Sequence, residues 1–234
     1  MIEAVQKAGQ LLWRLDPILL DCVKVSLLCS LTATAAAVLM GAPVAVLLGR
    51  KHFPGRRVLV VAAHTGMAVP TVVIGLLLYG LLSRNGPLGV LSILYTPKAI
   101  ILGEFALGFP IIVALFSAAA AGLDARIEMT ARTLGAGRFG VFLTVVREAK
   151  VGLIAATMSA FGRLCSELGI AMMLGGSIKH HTRTMTTAIA METSGGEFTF
   201  ALALGLVLLL VALGVNIAAQ LFRLPAQRRH PDVL

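Results

Sequence analysis

Long apolar runs alternate with short polar connectors along this chain, and the longest polar interruption spans residues 124–152. Five runs approach or exceed the roughly 20 residues that a helix needs to cross a bilayer. They cover residues 25–49, 58–82, 99–123, 152–174 and 200–222. The pattern predicts an all-α membrane protein with about five transmembrane helices. The chain divides into an N-terminal segment (1–16), a transmembrane domain (17–222) that contains a long loop (124–150), and a C-terminal tail (223–234).

Local signals refine this outline. Residues 1–15 mix Ile2, Val5, Leu11, Leu12 and Leu15 with Glu3, Lys7 and Arg14, as expected of a helix lying at the outer interface with Trp13 at headgroup depth. Asp16 and Pro17 suit an N-cap and the first position of a new helix. Pro43 and Pro70 each remove a backbone bond to the residue four earlier. Asn85-Gly86-Pro87 marks an outer turn. Glu104 lies close enough to the start of the third run to snorkel or find a partner. The first apolar run is too long for the core of a cleavable signal.

A connector would not need the length of the 124–150 loop. Ile127, Thr130, Ala131 and Leu134 give it an amphipathic helical pattern, and Gly135 falls where a helix C-cap belongs.

Composition excludes a soluble domain: 58% of residues are hydrophobic, 13% are charged, and the mean hydropathy is +0.91. The net charge of +9 is no sign of nucleic-acid binding, because the cations flank the spans. Connectors 50–57 and 124–150 and the tail hold twelve Lys and Arg, against seven on the opposite set. The positive-inside rule therefore puts the long loop and the C-terminus in the cytoplasm and the N-terminus outside. Cys22, Cys29 and Cys165 lie in or beside apolar runs without CxxC spacing, so no metal or disulfide framework is expected. No HExxH, GxSxG or pair of catalytic carboxylates is present, and no catalytic residue is assigned. Gly135 to Gly140, GAGRFG, fits GxGxxG literally but follows a helix and has no strand before it. GxxxxGK[ST] is absent from the chain, so any ATP that drives it is bound by another polypeptide.

Charges inside the runs are the candidate chemistry. A central arginine costs about 2.5–3.5 kcal/mol on insertion scales, so Arg163 must face protein or water. Glu167 stands one turn on. The two form either a structural ion pair or a pathway gate at which Arg163 attracts an anion and Glu167 moderates its hold. His64 and Thr71 make the second run more polar than a lipid-facing helix requires; both are candidates for the translocation pathway or gate, with packing as the alternative for His64. Residues 175–187, GGSIKHHTRTMTT, combine Lys179 and Arg183 with Thr184, Thr186 and Thr187, and Thr184 is placed to cap a short helix from Met185. This stretch is an outer gate, a docking surface, or a cradle for an oxyanion.

Two blocks carry a family resemblance. EMTARTLGAG aligns with the coupling-loop form EEAARTLGAS: Glu128, Ala131 and Gly135 match, Met129 and Thr130 depart, and Arg147 stands where a proline is usual. Downstream, FGRLCSELG, GGSI, TRTMTTAIA and ETSGGEF follow the series seen in permease subunits of tungstate-type ABC importers. The resemblance spans roughly residues 126–216 and implies a type I importer permease that works as a homodimer. It implies two further partners, a separate ATPase that holds the ATP and magnesium and an extracytoplasmic solute-binding protein, with no cofactor on this chain. The ATPase would grip Arg126, Glu128, Met129, Thr130, Ala131, Leu134, Gly135 and Ala136. The cargo would be tungstate or molybdate, with sulfate, phosphate or an amino acid as alternatives inside the family. An ion-driven carrier or channel is the alternative outside it.

Overall fold

The computed structural model describes residues 16–227. The expected interfacial helix before Asp16 and the end of the tail after Gln227 lie outside the described residues. Among the described residues the chain is helical, without strands, in the order α1 Pro17–Arg50, α2 Arg56–Ala68, α3 Thr71–Leu82, a 3-10 turn Gly89–Leu91, α4 Pro97–Ala121, α5 Ala125–Thr133, α6 Arg138–Glu148, α7 Lys150–Cys165, a π-helical turn Ala171–Gly175, α8 Met185–Ser194 and α9 Phe198–Gln227.

Among the described residues three helices are long and apolar enough to cross a membrane: α1, α4 and the Phe198–Ala218 part of α9. They coincide with the first, third and fifth apolar runs. Asp16 starts α1 as expected, its Oδ1 accepting the Ile18 and Leu19 N–H groups at 2.9 and 3.2 Å. Pro43 and Pro110 are held inside α1 and α4 without ending them.

The second and fourth runs depart from single spans. Pro70 ends the helical run there, so the second becomes α2 and α3, bent by 100° at the break, the geometry of a broken span or of a re-entrant loop. Proline both removes a backbone donor and disfavours helical geometry at the residue before it. The fourth run breaks at residues 166–168 and resumes as a helical segment that passes into the π turn. Broken helices inside a membrane persist where side chains take over the freed backbone groups, and Glu167 does so here.

The described chain falls into two compact units. One comprises residues 16–33, Val69–Ala106 and Gly162–Gly214. Cys29, Ile100 and Ala171 are buried together in it, flanked by Val25 and Ile101. The Tyr95 N–H donates to the Leu174 carbonyl at 2.8 Å. Its hydroxyl donates to the Tyr79 hydroxyl at 3.3 Å, a bond that raises the Tyr95 phenol above its ordinary value. Glu104 is buried in this unit. The other unit comprises residues 34–68, 107–161 and 215–227. Leu48, Ala63, Val113 and Ala114 form a core in it, with Phe53, Met67 and Phe109 packed around them.

Candidate functional site

The polar loop folds into two helices. Asp124 caps α5 by accepting the Arg126 N–H at 2.8 Å. Glu128 lies in the first turn and Arg132 in the last, the charge order that complements the helix dipole. At the far end Gly135 sits at φ +85°, the Gly135 N–H reaches the Arg132 carbonyl at 3.0 Å, and the Ala136 N–H reaches Ala131 at 2.9 Å. That pair of bonds is a Schellman motif, which needs a left-handed residue where glycine stands. The termination expected from sequence is therefore the one observed. The second helix, α6, carried no such forecast.

The eight loop residues singled out from sequence divide by exposure. Ala131 is buried, Glu128 and Ala136 are partly buried, and Arg126, Met129, Thr130, Leu134 and Gly135 are exposed. Leu134 is 82% exposed and Met129 56%, and Phe139 at the start of α6 joins them at 75%. Three bare apolar side chains on one polar loop form a surface suited to a protein partner. Sequence reading missed Phe139, although an apolar residue between glycines in a charged loop was a usable signal.

Arg50, at the end of α1, was counted only as a marker of orientation. In the structure it ties the loop to two spans. Its Nε donates to Glu128 Oε1 at 2.6 Å, and Nη1 donates to the Leu123 carbonyl at 2.7 Å and more weakly to Ala120 at 3.4 Å. Nη2 reaches the Asp124 carbonyl at 3.4 Å. The guanidinium fork thus meets both a carboxylate and carbonyls at and just beyond the end of α4. Only 11% of the Arg50 side chain and 20% of the Glu128 side chain remain exposed. The Glu128–Arg132 pair, at 3.8 Å with Arg132 mostly exposed, adds little. Arg56 turns back in the same way, donating to the Leu48 carbonyl at 2.6 Å.

In the other unit Arg163 and Glu167 come together, but unequally. Nη1 of Arg163 lies 3.7 Å from Glu167 Oε2, beyond hydrogen-bond length, and half of the Arg163 side chain is exposed while Glu167 is buried. The stronger partners of Glu167 are backbone: Oε1 accepts the Gly169 N–H at 2.9 Å and the Ile170 N–H at 3.4 Å. Its own carbonyl accepts the Thr186 hydroxyl at 2.7 Å. Thr71, at the head of α3, closes on the same point, since a side chain added at Gly169 would meet its Oγ1 at 3.2 Å. Glu167 therefore caps the resumed helix, and Arg163 is left a half-open cation beside it. His64 is exposed on α2 and belongs to the second unit.

Most polar groups of the 175–187 stretch are paired, the buried Ser177 hydroxyl excepted. The Met185 N–H donates to Ser26 Oγ at 2.7 Å. Thr184 and Thr187 form a reciprocal capping box at the head of α8. Arg183 is buried and pairs with Glu192 at 2.9 Å. Thr184, Thr186 and Thr187 are buried as well, and only Lys179 of the five stands exposed. Arg183 and the three threonines are thus engaged within the protein, while Lys179 and the Ser177 hydroxyl are not, among the described residues. His180 tethers the loop to Asp21 at 2.7 Å.

Comparison with known proteins gives a consistent picture. The family described as binding-protein-dependent transport system inner membrane component matches residues 41–224. The tungstate uptake system permease protein TupB of Peptoclostridium acidaminophilum is 38% identical over 214 residues, which is 92% of this chain and 94% of that protein. The molybdenum transport system permease protein ModB of Escherichia coli K12 is 32% identical, over 74% of this chain and 81% of its own length. Among solved structures, an inward-facing form of the MetNI methionine ABC transporter superposes with a TM-score of 0.69 at 17% identity, covering 88% of this chain and 95% of that one. That likeness concerns the fold.

Proposed function

The chain belongs to the binding-protein-dependent transport system inner membrane component family, and from that premise we propose that it is the membrane-spanning permease of an ATP-driven importer for tungstate or molybdate. The observation that carries the cargo is the similarity to tungstate permeases along nine-tenths of the chain. Family membership brings an ATPase and a solute-binding protein as partners in general terms. We assign the ATPase to the exposed face of α5, the binding protein to the outer loops, and a second copy of this chain to the far wall of the pathway. The C-terminus lies in the cytoplasm under this assignment.

The proposed mechanism is alternating access. ATP hydrolysis belongs to the partner, and this chain supplies the mechanics. Met129, Leu134 and Phe139 seat in the ATPase, so that closure of the ATPases moves α5. Arg50 makes that movement common to α5 and to the ends of α1 and α4, because this last residue of α1 bonds to Glu128 of α5 and to the Ala120 and Leu123 carbonyls where α4 ends. Arg163 offers the passing dianion a cation that its buried neighbour holds only loosely. Binding is then favourable enough to draw the ion in and weak enough to release it.

Uptake of radiolabelled tungstate by proteoliposomes that hold this chain, its ATPase and its binding protein tests the reading. ATP-dependent uptake that unlabelled tungstate and molybdate suppress supports it. Suppression by sulfate alone reassigns the cargo, and uptake by this chain without any ATPase refutes the mechanism.

A further inference from the structure

At the foot of α1 the second unit forms a half-open cavity of about 400 Å³, bounded by the end of α1, by α5 and by α6. This is the size range of pockets that hold small organic ligands. Its floor is apolar, made by buried Val46, Val141 and Val145. Its polar lining holds four cations, Arg50, Lys51, Arg132 and Arg138, against the single carboxylate Glu128. Arg50 is already committed to that carboxylate. Lys51 and Arg138 are exposed, and among the described residues neither has an ion-pair partner.

The lining poses a double requirement. A free inorganic anion would use the cations and leave the valine floor dry and empty. An uncharged apolar molecule would fill the floor and leave the cations unpaired. A molecule that is anionic at one end and aliphatic at the other satisfies both. An anionic phospholipid has that shape and is at hand where a membrane helix ends in a basic turn. The cavity shares Glu128 and Ala136 with the loop assigned to the ATPase, but Met129, Leu134 and Phe139, the side chains assigned to seat in the ATPase, do not line it.

We propose that this cavity seats an anionic phospholipid of the cytoplasmic leaflet, its phosphate on Lys51 and Arg138 and its first methylenes on Val46, Val141 and Val145. The lipid bridges α1 to α6 alongside the Arg50 tether, which makes the set of the coupling loop sensitive to headgroup charge.

The test uses the full chain in nanodiscs with photoactivatable phosphatidylglycerol or phosphatidylcholine, and cross-links located by mass spectrometry. Phosphatidylglycerol should label the α1 and α6 segments lining the cavity, and phosphatidylcholine should not. Each neutralised cation should cut that labelling roughly fivefold, as expected for one charge near an anionic surface. Lys51→Gln and Arg138→Gln are read singly and together. Arg147→Gln, exposed and outside the cavity, should leave labelling unchanged. If the double variant fails to assemble, Lys51→Gln alone decides. Equal labelling by the two lipids, labelling indifferent to Lys51→Gln, or displacement by inorganic phosphate would overturn the proposal, the last by showing that the cavity takes a free anion.

Discussion

Replacing Arg50 by alanine should free the 124–150 loop while leaving the spans folded. The side chain makes two short bonds, to Glu128 at 2.6 Å and to the Leu123 carbonyl at 2.7 Å, and both ends of the ion pair are largely shielded. A hydrogen bond involving a charged group contributes about 1.5–3 kcal/mol, so removing both loosens α5 by about 3 kcal/mol after partial relaxation. A change of that size raises the population of detached α5 by roughly two orders of magnitude. Hydrogen exchange reads it directly: amides across α5 should exchange about 100-fold faster in Arg50→Ala, with α9 unaffected. Arg50→Lys keeps the charge and loses the fork, and should fall between the two. In a double-mutant cycle Glu128→Gln should cost little once Arg50 is gone. Uptake per ATP hydrolysed should drop in proportion to the loosening. Unchanged exchange in Arg50→Ala, or strictly additive effects in the cycle, would refute the tether.

Other consequences are narrower. Gly135→Ala should destabilise the loop by about 1 kcal/mol through the left-handed backbone alone, since no atom lies within 4 Å of the added carbon; a loss several times larger in a thermal melt would mean that the site is crowded. Thr184→Ala removes the cap of α8 and leaves the buried Thr187 N–H without its acceptor, which should cost about 1–3 kcal/mol in thermal unfolding of the purified chain. Arg163→Ala should abolish tungstate uptake with assembly intact, and failure to assemble would make the ion pair structural. Glu167→Gln keeps an acceptor for the Gly169 N–H but no longer opposes Arg163, so both KM and turnover for uptake should fall.

Sequence carried the ends of helices better than their interruptions. Asp16 with Pro17, Thr184 and Gly135 each act through a bond or dihedral that the residue's own covalent chemistry dictates, and each stands where expected. The break at residues 166–168 left no mark on hydropathy, because Cys165, Leu168 and Ile170 keep the run apolar while Glu167 takes over the backbone donors. Helix α6 was hidden by the polar context of the loop, although Val141 and Val145 repeat at helical spacing and both are buried. The burial of Glu104 could not be read from its distance to the end of a run, since the packing that covers it comes from elsewhere in the chain. The role of Arg50 was the least legible. Four cations lie between residues 50 and 57, and which of them turns back onto a helix end seventy residues on depends on a tertiary contact.

Cysteine cross-linking at the loop tests the central claim most directly. The native cysteines Cys22, Cys29 and Cys165 are all buried, so a single cysteine placed at Leu134 or Phe139 can be read against a low background. In the assembled complex that cysteine should cross-link to the ATPase, with a yield that changes when ATP is bound without hydrolysis. A loop cysteine that reaches no ATPase, or that labels from outside the cell, would contradict the account.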